Sequence, residues 1–195
     1  MKGKKLFIIV GILAILLSLS FFIFLLGQEK KSKALPILGQ VNDGRFIDTQ
    51  KKSFHLAELK GKVWVADFIF TTCPGICPVM TRTMAQLYRS YRLTGNVHFV
   101  SFSVNPENDT PEVLRKYAQN YDADPSLWHF LTGSRDALTD VAVKDFKLGM
   151  VNEPVFHSGK FILVDKNLQI RGYYEHNGPE ELNLLFRDIN ELLKE

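Results

Sequence analysis

From residue 37 to the C-terminus, short runs rich in β-branched and aromatic residues alternate with stretches of helical period, and this alternation fixes the fold class. Phe46 to Leu59, broken by the polar Thr49-Gln50-Lys51-Lys52, reads as a hairpin or two short strands. Val63 to Phe70 (VWVADFIF) and Val97 to Val104 (VHFVSFSV) read as buried strands. Between them, Pro78 to Arg92 places Met80, Met84, Leu87, Tyr88 and Tyr91 on one helical face. Thr110-Pro111-Glu112 starts a second helix running to about Gln119, with Thr as N-cap and Pro at the first helical position. Trp128 to Leu131 is a short strand, and Ser134 caps a helix to about Phe146, with Gly149 after it. Phe161 to Val164 and Gln169 to Tyr174 are strands joined by a tight turn at 165–168. Asn177-Gly178-Pro179-Glu180 opens a last helix with an apolar stripe of Leu182, Leu185, Phe186, Ile189, Leu192 and Leu193.

Strands alternating with helices imply parallel pairing in a sheet covered on both faces, and the last two strands close antiparallel. The expected class is α/β. The order is that of a thioredoxin-like fold, a central mixed sheet flanked by helices, with an N-terminal β-hairpin extension. The only two cysteines, Cys73 and Cys77, fall in the loop between a central strand and its helix, within FTTCPGICP. A disulfide gains stability by restricting the unfolded chain, and more so for longer loops. Linking residues separated by only Pro74, Gly75 and Ile76 therefore makes a poor staple. Pro78 suits the first helical position, which makes Cys77 the expected N-cap, where the helix dipole favours a thiolate. A thiolate is both a disulfide-exchange nucleophile and a soft metal ligand. The pair alone leaves both roles open.

A third ligand decides between them. Among five histidines, His55, His98 and His129 lie in or beside predicted strands and read as packing or surface residues, and His176 as a helix cap. His157 differs, because it precedes the strand near Phe161, and in a thioredoxin fold the loop entering that strand packs beside the active cysteines. Two thiolates and one imidazole suit copper, whereas zinc ordinarily takes a fourth ligand. Asp67 stands inside the apolar strand, where a charge is costly to bury, and can act as a proton acceptor for a thiol or repel a thiolate. Met80 and Met84 can ligate Cu(I), but their spacing matches the core stripe.

Residues 6–27 (LFIIVGILAILLSLSFFIFLLG) hold no charge over 22 positions, long enough to cross a bilayer as a helix. No A-x-A site follows the run, which favours an uncleaved anchor over a signal peptide, and no cysteine follows it to accept a lipid. The expected organisation is a basic cytoplasmic tip (1–5), a transmembrane anchor (6–27), a tether (28–36) and a thioredoxin-like domain (37–195) on the periplasmic or extracytoplasmic side. The net charge of +3 comes wholly from Lys2, Lys4 and Lys5, since residues 28–195 carry 21 basic and 21 acidic groups. A neutral domain gives no electrostatic footprint for nucleic acid.

Three segments together, DFIFTTCPGICP, VSFSVNPENDTPEVLRKYA and FHSGKFILVD, resemble the Sco/SenC family over roughly residues 37–195. The resemblance implies a membrane-anchored copper-binding protein that assists assembly of the dinuclear copper centre of cytochrome c oxidase. It implies Cys73, Cys77 and His157 as ligands of Cu(I) or Cu(II), and Asp67 as the acid preceding the motif in many bacterial members. The implied partners are the copper-binding subunit of a terminal oxidase and a thiol reductant. Two departures stand out: Gly75 and Asn105 occupy positions where aspartate is common, and the first removes a charge beside the ligands. The alternative is an extracytoplasmic thiol–disulfide oxidoreductase that keeps oxidase cysteines reduced, which needs the redox-active pair Cys73 and Cys77 but not His157. A peroxidase of the same fold lacks a resolving cysteine beyond the pair.

Overall fold

In a computed structural model of the chain the described residues are 17–22, 34–149 and 159–195. The chain divides into two compact units, Met1–Ala34 and Leu35–Glu195. In the first, residues 17–22 are helical, and Leu17, Leu19, Phe21 and Phe22 are exposed. Among the described residues no helix is long and apolar enough to cross a membrane. The expected span over residues 6–27 lies largely outside them.

The second unit is built on a six-stranded mixed sheet. In chain order its elements are β1 (Gly39–Gln40), β2 (Arg45–Ile47), β3 (Ser53–His55), a 3-10 turn (Leu56–Leu59), β4 (Val63–Ile69), α1 (Cys77–Tyr91), β5 (Val97–Ser103), α2 (Pro111–Gln119), β6 (Trp128–Leu131), α3 (Arg135–Asp140), β7 (Lys160–Val164), β8 (Gln169–Glu175) and α4 (Pro179–Lys194). The strand order is β1-β8-β7-β4-β5-β6, with β2 and β3 paired separately as a hairpin. β4, β5 and β6 are parallel, whereas β7 runs antiparallel to β4 and β8. The alternation of apolar runs and helical periods predicted this mixed α/β arrangement. β1 escaped it because two residues carry no period; it is held by Leu38 and Val41, whose N–H groups donate to Ile170 and Leu168 at 2.8 Å each.

Every residue of β4 and β5 is buried, so both strands read as continuous apolar runs. Period two sends alternate side chains to opposite faces. Val63, Val65 and Ile69 join Met80, Met84, Phe99, Trp128, Leu185 and Ile189 in one core, under α1, α2 and α4. Trp64, Ala66 and Phe68 join Val100, Phe102, Phe46 and Phe146 in the other, under the hairpin and α3.

The helix starts follow their caps. Thr110 Oγ1 accepts from the Val113 N–H at 3.4 Å, and Ser134 Oγ from the Ala137 N–H at 3.2 Å. The single helix expected from Ser134 to Phe146 is in fact six α-helical residues followed by a wider π turn, Val141–Asp145. Phe146 donates its N–H to Val141 at 2.9 Å, and the extra residue turns its fully buried ring onto Trp64 and Phe68.

The sheet has two poles. At the C-terminal end of β4 lies the cysteine loop. At the other, the Arg171 guanidinium donates to Asp165 at 2.7 Å, to the Leu35 carbonyl at 2.7 Å and to Glu195 at 3.0 Å. Arg171 and Asp165 are both buried.

Candidate metal site

The thiol loop begins where β4 runs out of partners. After Ile69 the chain turns, and the Phe70 carbonyl accepts the Cys73 N–H at 3.2 Å. Thr71 is fastened from across the site by Asp109, which is fully buried and accepts from the Thr71 N–H at 3.1 Å, the Thr71 hydroxyl at 2.5 Å and the Ser103 hydroxyl at 2.7 Å. Helix α1 then starts at Ile76, whose carbonyl accepts the N–H groups of Val79 and Met80 at 3.0 Å each. Cys77 is therefore the first helical residue and Pro78 the second. The expectation that Cys77 is the N-cap is corrected by one position. Ile76 already has helical backbone angles, and proline is tolerated in either of the first two helical positions, where no intrahelical N–H partner is needed.

Both thiols are free, and both are buried, Cys73 being 7% exposed and Cys77 3%. Their environments differ. Burial works against the Cys73 thiolate, but the backbone N–H groups of Cys77, Gly75 and Ile76 and the Cys77 thiol outweigh it and hold Cys73 below the ordinary cysteine range. Burial pushes Cys77 up to about 12; the Cys73 sulfur and Asp67 add to this, and a Phe70 backbone hydrogen bond opposes it. The N–H groups at the helix start thus favour the thiolate at Cys73, whose sulfur faces them, and not at Cys77, which lies within the helix and the core. Among the described residues, a side chain at position 75 would meet no atom within 4 Å.

Asp67 lies beneath the pair. It is fully buried, and among the described residues neither carboxylate oxygen has a hydrogen-bond partner. Burial raises its pKa to about 7. Ser101, opposite it on β5, offsets part of this although its hydroxyl does not reach hydrogen-bonding geometry; that hydroxyl accepts the Trp128 indole N–H at 3.0 Å.

His157 lies outside the described residues. Among the described residues, no group of three His, Cys, Asp or Glu side chains is arranged to hold a metal ion. A Cβ at Gly159 would lie 2.9 Å from Ile76 Cδ1, so Gly159 packs against the middle of the thiol loop. Met80 and Met84 are core residues, as their spacing predicts. His98 and His129 are packing residues, their rings 5.8 Å apart and parallel. His55 sits near the Asp43 carboxylate at the surface. His176 does not cap α4, whose N-cap is Gly178; its ring bonds the Gly159 carbonyl at 3.0 Å. The Asp109 anchor was not legible in the sequence. Its only trace was an acid next to the Thr110 cap, which reads as ordinary helix-start chemistry.

The donor set suits a soft cation. Two thiols interact with each other, and one is favoured as a thiolate.

The family model described as SCO1/SenC matches residues 41–194. The SCO1 protein homolog of Bacillus subtilis strain 168 is 38% identical over 170 residues, covering 84% of each chain. The solved structure of BsSco, a member of the Sco family of cytochrome c oxidase assembly proteins in which a disulfide switch is identified, is 35% identical with a TM-score of 0.72, over 82% of this chain and 97% of that one. Arabidopsis thaliana ScoI, solved with copper bound, is 25% identical with a TM-score of 0.64, over 79% of this chain and 99% of that one. With the model match spanning most of its length and the mixed sheet superimposing on solved Sco structures, the chain belongs to the SCO1/SenC family.

Proposed function

We propose that this chain is a membrane-anchored copper carrier serving assembly of the dinuclear copper centre of cytochrome c oxidase. Copper is the cargo, held by the Cys73 and Cys77 thiolates and the His157 imidazole. The observation that carries this reading is the paired free thiols at the head of α1, with Cys73 favoured as a thiolate and the chain two residues after His157 lying against Ile76. Two residues span at most roughly 7 Å, and this short link from Gly159 supports His157 as the third ligand. Thiolate favours Cu(I), and imidazole serves both oxidation states. Loading needs both cysteines reduced, so a thiol reductant is a second partner, and delivery to the oxidase's copper-binding subunit is ligand exchange between thiolates. The uncharged run at 6–27 is the anchor, with residues 37–195 on the extracytoplasmic side; the exposed apolar side chains of 17–22 fit a lipid surrounding.

Anaerobic copper titration of the full-length, reduced chain in detergent tests this. One copper per chain, with a thiolate-to-metal charge-transfer band, is expected. Both should weaken at least tenfold in His157→Ala. Binding indifferent to His157, or to replacement of both cysteines, sinks the three-ligand site.

The thiol asymmetry supports a second reading, a thiol–disulfide oxidoreductase. Cys73 thiolate would attack a partner disulfide and form a mixed disulfide. Cys77 would then lose its proton and displace the partner's second sulfur, leaving a Cys73–Cys77 disulfide and two partner thiols. Asp67, its pKa pushed up to about 7, would take that proton.

A further inference from the structure

We infer that His176 is a positioning residue of the thiol loop, acting by pinning Gly159 against Ile76. The Gly159 carbonyl accepts two hydrogen bonds from the same residue, the His176 backbone N–H at 2.8 Å and the His176 imidazole at 3.0 Å. A carbonyl only accepts, so Nδ1 carries the proton and the ring is fixed in one tautomer. The imidazole and the Ile76 side chain close on Gly159 from two sides. A Cβ at 159 would lie 2.6 Å from His176 Nδ1 and 2.9 Å from Ile76 Cδ1, so only glycine fits the slot.

Ile76 is where the pressure matters. It caps α1, and its backbone N–H is one of those that face the Cys73 sulfur. The contacts therefore run His176, Gly159, Ile76, Cys73, from the end of β8 to the reactive thiol. Were His176 a mere continuation of the β7–β8 ladder beyond the Lys160–Glu175 pair, its backbone bond would suffice and the ring would be replaceable. The inference applies to the thiol pair whichever chemistry it serves; it extends the copper reading and does not depend on it.

The test uses full-length protein in detergent and compares wild type, His176→Ala, His176→Asn and Gly159→Ala. The readouts are the iodoacetamide alkylation rate of the reduced thiols and the equilibrium of the Cys73–Cys77 disulfide against a dithiol buffer, with a thermal melt as folding control. His176→Ala is expected to slow alkylation and shift the disulfide equilibrium, each by about tenfold. His176→Asn, whose amide N–H can occupy the place of Nδ1, should restore both. Gly159→Ala should reproduce the defect and should add less when His176 is already alanine, since one wall of the slot is gone. Wild-type behaviour of His176→Ala overturns the inference. So does an asparagine variant as impaired as alanine, which would assign the role to Nε2. Should His176→Ala fail to fold, asparagine against glutamine carries the test, because glutamine places its donor too far out; equal behaviour of the two overturns it. If wild type binds no copper while the alkylation rates follow the expected pattern, the copper reading falls and the pinning stands. If copper binding depends on His157 while His176→Ala is neutral, the reverse holds.

Discussion

Asp67 shows how much one buried group can set. An acid in the middle of an apolar strand, with no hydrogen-bond partner among the described residues, resists ionisation, and its pKa rises to about 7 from an ordinary 3.8. The folded chain then holds a proton that the unfolded chain releases between about pH 4 and 7. Asp67 thus lowers stability as pH rises through that window, and the loss is complete above it. Asp67→Asn should be the more stable protein at pH 8, by on the order of 4 kcal/mol, with little difference at pH 4. Urea midpoints of the two proteins at both pH values check this; a constant difference would mean that Asp67 is ionised throughout. A buried acid kept at this cost fits the proposed role of proton acceptor for Cys77. The sequence made the residue conspicuous, since a charge inside VWVADFIF has few other reasons. It could not show that Asp109 performs the opposite task, fully satisfied by Thr71 and Ser103, because that carboxylate reaches across 38 residues to its partner.

Among elements, the parallel trio β4, β5 and β6 was the most legible part, because strands buried on both faces write their burial as unbroken apolar runs. The π turn after α3 was not, because one inserted residue leaves the helical period nearly intact over so short a stretch. β5 and β6 also bring together what their sequences kept apart. His98 and His129 stack as diagonal neighbours, with Phe54 of β3 against His129 and the Lys62 ammonium nearby; Asp124 offers only a weak opposing charge. Burial first, then these positive neighbours, lowers both histidines to about 4 from 6.5. The unfolded chain therefore takes up protons below pH 6.5 that the fold refuses, and stability falls as pH drops from 6.5 towards 4. His129→Phe should flatten this acid slope while leaving the midpoint at pH 8 near that of wild type. An unchanged slope between pH 6.5 and 4.5 would place the acid sensitivity elsewhere.

For the whole molecule, Arg171 joins the first residue of the folded unit, the β7–β8 turn and the last residue of the chain. Removing one partner of a buried pair leaves the other charged and alone. Arg171→Ala should cost about 3–5 kcal/mol, because Asp165 stays buried. A thermal melt reads this directly, and a loss below about 1 kcal/mol would show that solvent reaches Asp165 once the arginine is gone. Lys at this position should not substitute, since a point charge cannot bind the carboxylate and the Leu35 carbonyl together. The same clamp has a mechanical meaning. A protein held by its N-terminus is loaded through Leu35, and Arg171 takes that load at the pole of the sheet opposite the thiols. Under the proposed anchoring, tension from a membrane would pass into β8 and the C-terminal helix and bypass β4. The thiol loop would then keep its geometry while the tether is pulled, as a tool keeps its edge when the strain is taken by the handle.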